Sequence, residues 1–233
     1  MTTALLVEFY RRLPERQEGD NPRTWLEQFQ SAVTAFKKSI AHSYNEGTLQ
    51  RLLTRRNRET RQAAVLALGL LGTMASNKLL AHRLHDEDER VRQLAANALW
   101  ALWFRADGED SEKELQRLAR MQDRGRALSG LNELIERSPR FAEAHNQRAI
   151  IYFQARQYEK AIADCETVLA LNPFHFGAQV GMAQCLMNLR RHRAALRAFR
   201  RTLRIHPTLE GVEETIRALE EALGEGGTRD DKK

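Results

Sequence analysis

Only two cysteines, Cys165 and Cys185, occur in 233 residues, too few for a disulfide framework, and no Cys or His pair has structural-zinc spacing. A reducing, cytoplasmic setting is expected, with both thiols acting as small buried hydrophobes. Long apolar runs are also missing. Residues 4–7 fall short of the about 7–15 residues of a signal peptide's hydrophobic region, and residues 63–75 fall short of the about 20 needed to cross a bilayer. Neither export nor a membrane span is expected. There is no glycine-rich phosphate loop and no nucleophile motif. His82 and His85 could share a helix face as metal ligands, but no third ligand is placed by the pattern, so they are read as solvated surface. No enzyme activity, cofactor or metal is expected.

Proline and glycine are scarce, at 5 and 13 residues, and with 42% hydrophobic and 29% charged residues this suits a folded, mostly helical chain. The net charge of +6 arises from 37 basic against 31 acidic residues spread along the chain, so it says little about a partner.

The chain repeats itself. Pro139, Pro173 and Pro207 stand 34 residues apart, as do Ala127, Ala161 and Ala195, a period that means stacked helical hairpins. Ala149, Tyr152, Ala161 and Pro173 in one unit are answered by Ala183, Leu186, Ala195, Phe199 and Pro207 in the next. The pattern resembles the tetratricopeptide repeat. Residues 142–175 and 176–209 are clean units, whereas residues 108–141 are degenerate, with Glu114 at a usually apolar position. Val212, Ile216, Leu219 and Leu223 then mark an amphipathic capping helix, and Gly224, Gly226 and Gly227 stop it.

A second repeat precedes the first. Residues 61–72 overlay residues 92–103 at an offset of 31, with Leu49 and Leu53 answering Leu80 and Leu84. This resembles the HEAT-like repeat, in particular the short bacterial form found in bilin lyases, through Leu84, Asp86, Asp88, Val91, Arg92, Ala95, Ala96, Ala98 and Leu99. The earlier unit departs from it with Arg55 and Asn57 in place of the acidic pair. The resemblance implies that Arg61 and Arg92 are structural and pair with the acidic residue just before them. Upstream, Asn21 before Pro22 sets a helix start, and Trp25, Phe29, Ala32, Val33, Phe36 and Ile40 continue one apolar face. A helix over 22–43 is expected, its face buried on the next segment, with at best a short helix before it.

The fold expected is therefore all-α, an α-solenoid of HEAT-like hairpins followed by about three tetratricopeptide units and a cap. The divisions are an N-terminal segment 1–21, HEAT-like repeats 22–107, the tetratricopeptide array and cap 108–224, and a disordered tail 225–233. The polar stretch 106–111 marks the boundary, and the two arrays are expected to abut, with Trp100, Trp103 and Phe104 packed nearby or partly exposed.

The tetratricopeptide resemblance implies a peptide-binding groove lined by the first helix of each unit. Its positions fall on Glu112, Gln116 and Arg120, on Glu143, Asn146, Ile150, Phe153 and Gln154, and on Val180, Gln184, Met187 and Asn188. The amides suit a peptide backbone and the apolar residues its side chains. Chaperone-binding members grip a terminal carboxylate with cationic residues, but the matching positions here are Glu112, Gln116, Gln147, Gly177 and Gly181, which disfavours that ligand. The expected function is a non-enzymatic scaffold, adaptor or assembly factor holding a protein or peptide of unknown identity. The lyase-like units suggest a bilin-handling role as an alternative. The pairing of repeats is similar to that of cyanobacterial or plastid-type proteins, which would place a photosynthetic eukaryote's version in the stroma.

A further alternative is RNA binding. Residues 176–209 contain no acid, and Arg193, Arg197, Arg200, Arg201 and Arg204 follow Arg190 and Arg191 along one outward helix face. The plainer reading is electrostatic pairing with Glu210, Glu213, Glu214, Glu220 and Glu221 of the cap.

Overall fold

The computed structural model describes residues 2–224, and the expected disordered tail, 225–233, lies outside them. Among the described residues there are thirteen α-helices and no strand, so the chain is an all-α helical-repeat protein. It divides into two compact units, residues 1–102 and 103–233.

The first unit holds α1 (Thr2–Arg11), α2 (Pro22–Ser43), α3 (Glu46–Leu52), α4 (Arg58–Leu71), α5 (Asn77–His82) and most of α6 (Glu89–Phe104). The Asn21 side chain accepts hydrogen bonds from the Arg23 and Thr24 amides at 3.0 and 3.3 Å, and Pro22 supplies the first turn, which fixes the start of α2. Only Phe36 and Ile40 of α2 are buried. The expected apolar face is thus fully covered only in the second half, and in the first half Trp25 and Phe29 are half-buried and stack on each other at 4.9 Å. Length explains this: α2 has 22 residues and α4, on which it packs, has 14, about 33 against about 21 Å at 1.5 Å per residue.

The 31-residue offset reappears as hydrogen bonds. Arg61 Nη1 donates to the carbonyls of Arg55 and Arg56 at 3.0 and 2.8 Å, and Arg92 Nη1 donates to those of Asp86 and Glu87 at 2.8 and 3.1 Å. Each arginine therefore closes the turn before its own helix. Asn57 stands where the pattern has an acid, yet it does the acid's work: its side chain accepts from the Thr60 amide at 2.9 Å, as Asp88 does from Val91. The carboxylate partner of Arg61 is not the residue just before it, as expected, but Asp86 of the following repeat, bound at 2.8 Å with side chains 6% and 3% exposed. Arg92 departs from the expectation too: of Asp86 it holds only the carbonyl, and the carboxylate is taken by Arg61 and Arg83. Repeats meet closely at Gly69, where an added Cβ would stand 2.8 Å from the Ala98 Cβ.

In the second unit α7 (Glu109–Ala119) through α12 (His192–Ile205) form three hairpins and α13 (Val212–Ala222) caps them, each helix before α13 packing on the next in sequence. The prolines mark helix ends by position: Ser138, Asn172 and His206 are the C-cap residues of α8 (Arg124–Arg137), α10 (Tyr158–Leu171) and α12, and a proline follows each. The turns after α9 (Ala142–Gln154) and α11 (Phe176–Asn188) use Arg156 and Arg190, both with φ of 57°. Gln157 and Arg191 amides then reach back to Tyr152 and Leu186 carbonyls at 2.8 and 2.9 Å, closing a left-handed helix cap in each. Ala127, Ala161 and Ala195 are buried at the helix crossings. Glu114, out of pattern in the degenerate unit, is met by Arg137 at 2.5 Å.

Candidate functional site

An open cleft of about 510 Å³ lies in the second unit, lined by Phe153, Val180, Gln184, Met187 and Asn188 together with Phe199, Leu209, Glu210, Gly211, Val212 and Thr215. Helical spacing positions the first group: Val180, Gln184, Met187 and Asn188 stand at steps of three and four on α11, and Phe153 comes from the end of α9. The other wall is the loop after α12 and the first turns of α13. Val212 and Thr215 reach it because the 34-residue offset, continued past Pro207, puts α13 where another repeat's first helix would stand. That continuation is the signal by which the sequence could have revealed this wall.

The polar contacts show which groups remain available. Asn188 is partly committed, since Tyr158 donates its hydroxyl to Asn188 Oδ1 at 3.0 Å and Asn188 Nδ2 donates to the Gln184 carbonyl at 2.9 Å. Tyr158 also meets Phe153 edge-on at 5.7 Å, so it fixes both a cleft amide and a cleft ring. Sequence reasoning missed Tyr158 because it lies 30 residues from Asn188 and so outside the repeat register. The Gln184 side chain is exposed, and among the described residues Glu210 is the one charged residue lining the cleft.

Other expected groove residues are placed elsewhere. Ile150 and Gln154 are exposed on α9 outside the cleft lining. Glu112 and Gln116 of α7 and its C-cap residue Arg120 do not line it either, and Gln116 donates to Glu112 at 3.0 Å. Glu143 and Asn146, expected to face a ligand, are 1% and 4% exposed. Glu143 accepts from Asn146 and Gln147 at 3.0 and 2.7 Å and from His175 Nε2 at 2.9 Å. The Ala178 amide donates to His175 Nδ1 at 3.0 Å, so the ring proton sits on Nε2 and points at Glu143. Trp103 stacks on that imidazole at 4.1 Å, is 2% exposed, and meets Phe176 at 5.2 Å. Among the sequence readings of Trp103, packing is the one realised. A carboxylate buried this far needs its acceptor sites filled, and α9 and α11 fill them from within the protein.

Arg148 grips Asp164 with two bonds of 2.8 and 2.7 Å and reaches Asn132 at 2.8 Å, tying α9 to α10 and α8. Burial pushes the Asp164 carboxyl up, but the hydrogen bonds and charges of Arg148 and His145 together outweigh it and hold the group below its ordinary value. Burial raises the thiols of Cys165 and Cys185 to about 12 and about 11, so neither is a reactive nucleophile. His82 and His85 are exposed, and no group of metal-ligating side chains is assembled among the described residues.

The arginine face of α12 is exposed at Arg193, Arg197, Arg200, Arg201 and Arg204. Of the cap acids, Glu220 pairs with Arg200 at 2.7 Å, while Glu213 pairs with Arg217 of its own helix at 3.2 Å. Among the described residues the cap makes no ion pair with Arg197, Arg201 or Arg204, so pairing with the cap accounts for only part of the stripe.

Residues 45–132 match the family model for HEAT repeats and residues 142–175 that for the tetratricopeptide repeat. A TPR repeat-containing protein of Rhizobium etli is 39% identical over 97 residues, 42% of this chain and 48% of its own length, so the chain spans about half of that relative. Among solved structures, the first TPR of Spaghetti bound to an HSP90 peptide is 19% identical over 48% of this chain and 89% of its own, with a TM-score of 0.45. A thermophilic TPR protein of Thermus thermophilus is 20% identical over 94% of this chain and 96% of its own, with a TM-score of 0.38. The chain is a helical-repeat protein that carries HEAT repeats followed by a tetratricopeptide repeat.

Proposed function

We propose that this protein is a non-enzymatic adaptor that holds a segment of a partner protein in the cleft between α9, α11 and α13. The observation that carries the reading is the composition of that cleft. Phe153, Val180, Met187, Leu209 and Val212 offer an apolar floor, and the exposed Gln184 amide stands on it. Apolar pockets bordered by a few polar groups suit the side chains and backbone of a bound peptide. Among the described residues no cation lines the cleft, and Glu210 favours a basic residue beside the apolar anchors over a terminal carboxylate. The division into HEAT-like repeats over 22–107 and a tetratricopeptide array over 108–224 belongs to this reading, as does a cytoplasmic setting. No described helix is long and apolar enough to cross a membrane.

Selection of displayed peptides on the whole chain tests the proposal. Phe153→Ala with Met187→Ala should weaken the selected peptides by about 30-fold or more, the equivalent of about 2 kcal/mol for hot-spot side chains, while circular dichroism stays unchanged. Selected peptides that bind this variant as tightly as the parent would show that the cleft is not the site.

A further inference from the structure

The exposed face of α12 is built differently from that of any other helix. Its buried side is Ala195, Leu196, Ala198, Phe199 and Thr202, and its exposed side is almost wholly arginine. Arg197, Arg201 and Arg204 stand on successive turns, about 5.4 Å apart along the axis and within one narrow sector of the helix. None of the three has an ion-pair partner among the described residues, and none lines the cleft. Like charges three and four residues apart work against a helix. The stripe therefore carries a folding cost that an anion would remove.

We infer that this stripe is a second docking surface, for an acidic stretch of a partner protein whose carboxylates recur about once per helical turn. The charged residues between 176 and 209 are all arginine, with no lysine, and the planar guanidinium fork pairs with carboxylates through two parallel hydrogen bonds. Nucleic acid fits less well. Binding to single strands uses aromatic platforms, and the aromatic ring of this helix, Phe199, is 4% exposed and faces the core. No amide side chain stands on the stripe to read a base.

The test uses the full chain and two labelled probes of equal charge, a glutamate-rich helical peptide and a single-stranded RNA oligonucleotide, followed by fluorescence anisotropy across a salt series. The parent should bind the peptide more tightly than the RNA, with affinity falling as salt rises. Arg197→Gln with Arg201→Gln and Arg204→Gln should lose at least tenfold in peptide affinity and melt at the same temperature or higher, because repulsion along the helix is relieved. Should that variant fail to fold, Arg197→Lys with Arg201→Lys and Arg204→Lys keeps the charge, and a several-fold loss is expected from the missing fork. Absence of peptide binding by the parent, unchanged affinity in the folded variants, or tighter binding of RNA that the same substitutions abolish would each overturn the inference.

Discussion

Arg61 reaches forward 25 residues to grip Asp86, and with the same guanidinium it holds the carbonyls of Arg55 and Arg56 behind it. One buried side chain thus closes its own repeat and ties it to the next. Removing one member of a buried pair strands the other charge, at about 3–5 kcal/mol. Asp86→Ala should lose that much in urea unfolding of the first unit followed by circular dichroism. Asp86→Leu with Arg61→Met should recover much of the loss, and a double variant no more stable than the single one would show that the backbone contacts of Arg61 dominate.

Gly69 and Ala98 touch where α4 passes α6. Replacing an interior helical glycine with alanine ordinarily stabilises by about 0.5–1 kcal/mol. Here the added methyl would stand 2.8 Å from the Ala98 Cβ, so Gly69→Ala should instead destabilise, by about 1–3 kcal/mol for overpacking. Ala161→Leu and Ala195→Leu should do the same in the second unit, where both alanines are buried. Thermal midpoints equal to the parent's would refute the close crossings.

Arg156 and Arg190 hold φ of 57° in equivalent turns. A non-glycine residue in that region costs roughly 1–2 kcal/mol, partly offset by the chain entropy that glycine loses on folding. Arg156→Gly and Arg190→Gly should each raise stability by up to about 1 kcal/mol, measured as a higher urea midpoint. A lower midpoint in both would mean that the arginine side chains contribute more than the backbone strain costs.

Acid sensitivity should centre on Asp164. Its folded pKa is lowered, since Arg148 and His145 together outweigh burial, so its contribution is fully present above the unfolded value of about 3.9. That contribution is lost as pH falls through the folded value, a window below about pH 4. Asp164→Asn should be less stable at neutral pH and should show a shallower loss below pH 4. An unchanged acid profile in that variant would assign the sensitivity to other carboxylates.

Much of the fold was legible because repeats write the same physics twice. The prolines at 139, 173 and 207 could be read as helix ends, since a proline disfavours helical backbone at the residue before it, and each follows a C-cap. Pro22 and Asn21 gave the start of α2 in the same way. Less of the cleft could be read. Phe153, Val180, Gln184, Met187 and Asn188 fell in register, but Glu143 and Asn146 did too, and the structure buries them beneath His175 and Trp103. Register says which way a residue points along an ideal repeat and not what else occupies that space.

Local chemistry such as caps and the apolar face of each helix was determined by the sequence itself, because these interactions join residues a few positions apart. Contacts at long separation were decided by the tertiary structure alone. Trp103 closes over His175, Tyr158 pins Asn188, and Arg61 takes its carboxylate from the following repeat. A periodic pattern carries no record of such pairings, since each arises where packing brings together residues that the period does not relate.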